Sequence, residues 1–171
     1  MQLSILDTEN IYEKVFMDIA AKYGKQLPAH VRIKFLGSTE RRSCEICTLE
    51  LELPITVDDF QIQFRALSQK RLENVDFMPG AERLIRHLHS NNIKICVATR
   101  SGCDSVAIKT RNHQEVFKLF HHIVMGSLDP EVKQGKPAPD IFIIAASRFD
   151  DTPKTEDVSK FIDLKESFII L

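Results

Sequence analysis

The residues best suited to chemistry are a lysine and a threonine set in constrained turns. Lys136 stands in GKPAPDIF, residues 135–142, between a glycine and two prolines and just ahead of an apolar run that predicts a helix starting near Asp140. Pro137 and Pro139 restrict the backbone, and a stiff loop fixes the direction of the charge it carries. Thr99 ends the β-rich run IKICVAT, and RSGCDSV after it turns into a helix. The threonine hydroxyl and the next backbone N–H groups would then converge on one spot. A hydroxyl, free N–H groups and a fixed ammonium together describe a cradle for a phosphate oxyanion. The plain alternative for Lys136 is a solvated surface lysine, the usual state of that residue.

Two further clusters offer chemistry and are better explained by packing. CEIC supplies Cys44 and Cys47, but a zinc site needs a second ligand pair at similar spacing, which Cys96 and Cys103 do not provide. A redox motif would follow a strand, whereas STERRS before CEIC predicts a helix start. At i and i+3 on a helix, beside Ile46 and Leu49, the two thiols read as packing residues. The tandem His121 and His122 have no neighbouring carboxylate or thiol in sequence and read as structural.

The elements that must hold these residues change character near residue 77. Before it the pattern is helical. Ile11, Val15, Ile19 and Tyr23 recur every fourth residue after the cap candidates Asp7 and Thr8, and Gly24 stops the run. A second helix is expected over Glu40 to Leu51. A third follows Thr56, with Asp59 as its capping-box partner and Phe60, Phe64, Leu67 and Leu72 on one face. After residue 77, MPGAERLIRHLHSNN predicts a helix with Pro79 near its first turn, IKICVAT a strand, HQEVFKLF a helix, HIVMG a strand and DIFIIAASRF a helix. Alternating helices and strands imply right-handed crossovers and a parallel sheet, whose ligands gather at the carboxyl ends of the strands.

Composition bounds the partners. The chain has 171 residues, 43% of them hydrophobic and 27% charged, with seven prolines, as expected of an ordinary globular protein. A net charge of -1 with interspersed signs gives no electrostatic footprint for nucleic acid or a membrane surface, so neither is expected as a partner. The apolar run IFIIAA is far short of the roughly 18 residues of a membrane span, and the opening MQLSILDTEN shows no secretory pattern, so a cytoplasmic protein with reduced thiols is expected.

LDTEN opening a helix, FMPGAERLIRHLHSNNIKICVATRSG, LDPEVKQGKPAPDIF and the helical insert between them resemble the haloacid dehalogenase-like hydrolases with a helical cap. Within that family the chain most resembles the eukaryotic pseudouridine 5'-phosphatase group. The resemblance implies an α/β fold: a partial Rossmann-like parallel sheet core with an all-helical cap. Residues 1–9 would be a remnant of the core's N-terminal segment, 10–76 the cap and 77–171 an incomplete core. It also implies Mg²⁺-dependent phosphomonoester hydrolysis through an aspartyl-phosphate, on a small metabolite such as a nucleoside or sugar monophosphate. Thr99, Arg100 and Lys136 would bind phosphate, with Lys136 also steadying the nucleophile. Gly37 and Ser38 in LGSTERR would form the substrate-contacting cap loop, and Asp163 is the candidate metal ligand.

The chain departs from the family's Asp-x-Asp-Gly pattern. Counting back from Asp7 puts Met1 on the intervening x, Gln2 on the acid/base and Leu3 on the glycine, so the nucleophile falls before residue 1. At the other end, VSKFIDLKESFIIL stands where the family has paired acidic metal ligands. A shortened phosphatase-type chain with little or no turnover is the expectation. The alternatives are a non-catalytic phosphate-ligand or partner-binding protein and a sugar-phosphate phosphatase. Without the nucleophile-bearing strand, IKICVAT lacks a neighbour and the core is expected to be marginally stable. SFIIL is the candidate substitute strand, and equally an aggregation-prone segment.

Overall fold

The computed structural model of the protein describes residues 5–35, 38–134 and 138–150, together with the backbone of 166–170. Two compact units emerge, one comprising Thr8–Val75 and the other Met1–Asp7 with Asp76–Leu171.

The first unit is helical. α1 (Thr8–Lys22) buries Val15, Phe16, Ile19 and Ala20 on one stripe, the face that the fourfold spacing predicts. It ends at Gly24, whose φ of 70° is the left-handed value that glycine reaches without a Cβ penalty, while Lys25 N–H donates to Ala20 O. α2 (Ala29–Ile33) was not expected from the sequence. It is a five-residue turn of helix entered from Pro28, with no side-chain cap to announce it. α3 (Glu40–Glu50) is capped by Thr39, whose hydroxyl accepts from Arg42 N–H at 3.2 Å. α4 (Val57–Leu72) is capped by Thr56, which accepts from Asp59 N–H at 3.1 Å and donates to the Asp59 carboxylate at 2.7 Å. Asp59 thus serves the cap through the threonine hydroxyl.

α1 and α3 both pack on α4. The centre is aromatic: the Phe16 ring lies 4.6 Å from Phe35, 5.6 Å from Phe60 and 4.6 Å from Phe64, in tilted and stacked arrangements. Cys44 and Cys47 belong to the same apolar cluster and are fully buried. Burial pushes both thiols up to about 12, so they stay protonated and unreactive, as packing cysteines should.

The second unit is α/β. Leu6 bridges to Phe77, and Met78 N–H donates to Ile5 O at 2.9 Å. α5 (Ala81–Ser90) begins one residue later than Pro79 suggests, because Gly80, with φ of 83°, forms the turn into the helix; Ile85 and Leu88 face inward. β1 (Ile95–Thr99) is buried at all five positions, as a strand covered on both faces must be. α6 (Cys103–Thr110), a 3₁₀ turn at Arg111–His113 and α7 (Gln114–Phe117) lead to β2 (Ile123–Met125). α8 (Asp140–Ser147) buries Ile141, Phe142, Ala145 and Ala146 against Cys96, Ala98 and Val124.

β2 pairs with β1 in parallel, Val97 opposite Ile123 and Thr99 opposite Met125, as the alternating pattern predicts. β3 (Glu166–Ile170) pairs with the other edge of β1, giving the order β2-β1-β3. It runs antiparallel, with Ile95 opposite Ile170 and Thr99 opposite Glu166, so the described part of SFIIL, residues 167–170, does act as a strand and the sheet is mixed rather than wholly parallel. His122 and His121 are structural: His122 Nε2 lies 2.8 Å from Ala145 O, and both rings meet Phe149. Among the described residues no helix is long and apolar enough to cross a membrane.

Candidate phosphate site

The carboxyl end of β1 brings together a short chain of polar groups. Thr99 is the strand's last residue and is only 4% exposed. Its carbonyl accepts from Gly126 N–H at 2.8 Å, which ties the end of β1 to the end of β2. Its hydroxyl oxygen accepts from Ser101 N–H at 3.0 Å. A hydroxyl that receives a donor keeps its own proton for a second partner, so Thr99 presents an O–H for donation. Gly102 then enters α6 without a side-chain cap, leaving the helix's first N–H groups and the positive end of its dipole beside the threonine. A Cβ on Gly102 would stand 3.8 Å from Ser127 Oγ, so the turns leaving β1 and β2 lie side by side.

Behind this edge sits a cation that sequence reasoning missed. Lys109, near the end of α6, is 5% exposed, and its Nζ donates to Ser101 Oγ at 3.2 Å. A small cavity of about 30 Å³ lies here, lined by Thr99, Ser101, Lys109 and Thr110 with apolar residues including Leu6 and Val97. That volume admits ordered water beside the ammonium. The only sequence signal for Lys109 was its i+3 spacing from Val106, which lines the same cavity and marks the inward face of α6.

Arg100, adjacent to Thr99, is exposed at the mouth of the turn. Ser38 lies in the helical unit, where its hydroxyl donates to Lys34 O at 3.0 Å and its N–H to Phe35 O at 3.0 Å, closing the turn after α2. Lys136, Gly37 and Asp163 lie outside the described residues. The frame around the lysine loop is described on both sides. Asp140 accepts Gln134 N–H at 2.9 Å across the loop. Arg148 binds Asp129 and Glu131 at 2.7 Å each, joining the segment after β2 to the end of α8. That pairing holds the Asp129 carboxyl below its usual range, through the Arg148 hydrogen bond first.

Magnesium is the family-implied cofactor. Among the described residues no group of three His, Cys, Asp or Glu stands together as metal ligands, and the carboxylates nearest the lysine loop are engaged as stated. The described residues therefore do not fit the ion, and no step is derived through it. What the edge can do is bind an oxyanion, through one oriented hydroxyl, helix N–H groups and nearby positive charge.

Comparison with known proteins gives the family. The family model of the haloacid dehalogenase-like hydrolases matches residues 3–159. A Drosophila melanogaster protein described as a probable pseudouridine-5'-phosphatase is 43% identical over 159 residues, covering 93% of this chain and 69% of that protein. The (DL)-glycerol-3-phosphatase 2 of Arabidopsis thaliana is 40% identical over 151 residues, covering 87% of this chain and 62% of its own length. At the level of fold, the crystal structure of a candidate beta-phosphoglucomutase from Thermotoga maritima matches with a TM-score of 0.73 and 24% identity, over 91% of this chain and 70% of that one.

Proposed function

Because the chain belongs to the haloacid dehalogenase-like hydrolase family, we propose that it binds a small phosphomonoester at the carboxyl end of β1, in the manner of a pseudouridine 5'-phosphatase. The observation that carries this is the buried Thr99 at the strand end, its hydroxyl oriented by Ser101 N–H, beside the uncapped start of α6. In this reading Thr99 and Arg100 hold the phosphate with Lys136, residues 10–76 form the cap, and Ser38 with Gly37 belongs to the cap's substrate loop. Mg²⁺ would enter through acidic groups outside the described residues, with Asp163 the candidate.

In this proposal residues 1–171 bind without turning over. Gln2 stands where the resemblance places the acid/base, and a glutamine amide neither takes nor gives a proton at neutral pH. Lys136 can stabilise the charge on the phosphate but cannot take over that proton transfer, and loss of a general acid/base costs about 10² to 10⁴ in rate. A second reading, a small polyol phosphate as ligand, is favoured by the glycerol-3-phosphatase similarity.

Titration calorimetry of residues 1–171 with pseudouridine 5'-phosphate, glycerol 3-phosphate and inorganic phosphate tests the binding. Thr99→Val should weaken each at least roughly tenfold, the worth of a hydrogen bond to a charged group. Released phosphate should not exceed a buffer control with Mg²⁺. Absence of saturable binding would refute the site. Turnover that survives purification and disappears in Lys136→Ala would refute the inactivity. The tighter of the two organic phosphates decides between the substrate readings.

A further inference from the structure

We infer that Lys109 is a positioning residue for the oxyanion, acting through the Ser101 hydroxyl. The inference rests on the phosphate site proposed at the end of β1. An ammonium taken out of water is costly unless hydrogen-bonded, and Ser101 Oγ is one of the partners that Lys109 uses while 5% exposed. The direction of that bond matters. A lysine can only donate, so Ser101 Oγ must accept, and the serine's own proton is then turned away from the ammonium.

Thr99 is in the same condition one step along the chain. Its hydroxyl accepts from Ser101 N–H, which leaves its proton to donate outward. One residue, Ser101, is therefore held at its side chain by Lys109 and holds Thr99 with its backbone, and both hydroxyls are set as donors at the same strand end. Two hydroxyls that each already accept a bond have fewer rotor positions left, and cost an arriving anion less ordering than two free hydroxyls would. Thr99 and Ser101 line the same small cavity as Lys109, and the ammonium's bond to Ser101 Oγ is what lets the lysine act through the serine.

The test uses the whole 171-residue chain and inorganic phosphate as the probe. Lys109→Met keeps the apolar stem and removes the ammonium; it should weaken phosphate binding roughly tenfold, and Lys109→Arg should restore it to within about threefold of the parent. In a Ser101→Ala background, Lys109→Met should change affinity by less than about threefold, because the group it acts through is gone. A lysine that merely packs would show no such dependence on Ser101, so an undiminished Lys109→Met effect in that background overturns the inference. Ser101→Ala alone should also weaken binding roughly tenfold. Parent-like affinity in Ser101→Ala overturns the inference even if Lys109→Met does not fold. If Thr99→Val weakens binding and Lys109→Met does not, the inference falls and the phosphate site stands. If the parent chain binds no phosphate, the site itself is refuted and the inference with it.

Discussion

Replacing Gly126 by alanine tests how tightly the strand ends that carry Thr99 are packed. Gly126 follows β2, donates to Thr99 O, and is not among the residues with positive φ, so an alanine backbone is allowed there. Reduced freedom of the unfolded chain would by itself stabilise the variant by about 0.4 to 1 kcal/mol. The added Cβ, however, would stand 2.9 Å from Ile141 Cδ1, 3.5 Å from Val132 Cγ1 and 3.6 Å from Ile141 Cγ1. Ile141 is 1% exposed, so its end methyl has little room to swing away, and overpacking of this kind costs about 1 to 3 kcal/mol. The net expectation for Gly126→Ala is a loss of about 0.5 to 2 kcal/mol. Ile141→Val removes the clashing Cδ1 at a cost of about 0.5 to 1.5 kcal/mol on its own. In the double variant the nearest remaining Ile141-derived carbon is Cγ1 at an ordinary contact distance, so the clash term disappears. The double variant should be more stable than the sum of the singles by about 1 to 2 kcal/mol. Urea unfolding followed by circular dichroism measures this as a shift in midpoint at unchanged slope. Additivity to within about 0.5 kcal/mol would show that Cδ1 is not what glycine avoids here.

The four cysteines should divide sharply in native protein. Cys103 is exposed and should react promptly with a disulfide reagent near pH 8, whereas the buried Cys44, Cys47 and Cys96 should wait for unfolding; prompt labelling of Cys44 or Cys47 would contradict their raised pKa. His122 should make the α/β unit acid-sensitive. Burial lowers its pKa from 6.5, so the folded state favours the neutral ring, and the stability this contributes is complete above about 6.5 and declines as pH falls below it. Stability measured from about pH 7 to 5 should fall less steeply in His122→Gln, and identical slopes would remove the histidine from the account. In the helical unit, Phe16→Ala deletes a ring that meets Phe35, Phe60 and Phe64, and should cost about 3 to 5 kcal/mol by denaturant titration.

The sequence showed most where a repeating signal was long. Val15 and Ile19 on α1, and Phe60, Phe64 and Leu72 on α4, mark their faces by periodicity, and Thr56 announces its helix by capping chemistry. α2 carries no such signal, being five residues with no side-chain cap. The direction of β3 was also hidden. A strand's pattern records which side chains are apolar and not which way its partner runs, so SFIIL could be recognised as β-forming while its antiparallel pairing could not. At the site, Thr99 was legible because its position depends on local order: a strand, then a turn, then a helix. Lys109 was not, because a lysine in sequence reads as solvated, and only the tertiary burial of that face of α6 decides otherwise.

If phosphate binds at Thr99 as proposed, binding is tied to the end of the strand. β1 buries all five residues, yet its last position is held by terminal rungs: Gly126 N–H to Thr99 O on one side and the Thr99–Glu166 register on the other. Strand ends open with free energies well below that of global unfolding. The hydrogen bonds from Ser101 N–H to Thr99 and from Lys109 to Ser101 extend order beyond the last rung, into the turn where regular pairing has stopped. A phosphate that accepts from Thr99 and the start of α6 would in turn bridge β1 to the helix. Binding and closure of this end would therefore be linked, each favouring the other by the same factor. On the proposed reading, a lysine costly to bury is explicable here as the brace of a donor that must stay in place where the sheet itself gives out.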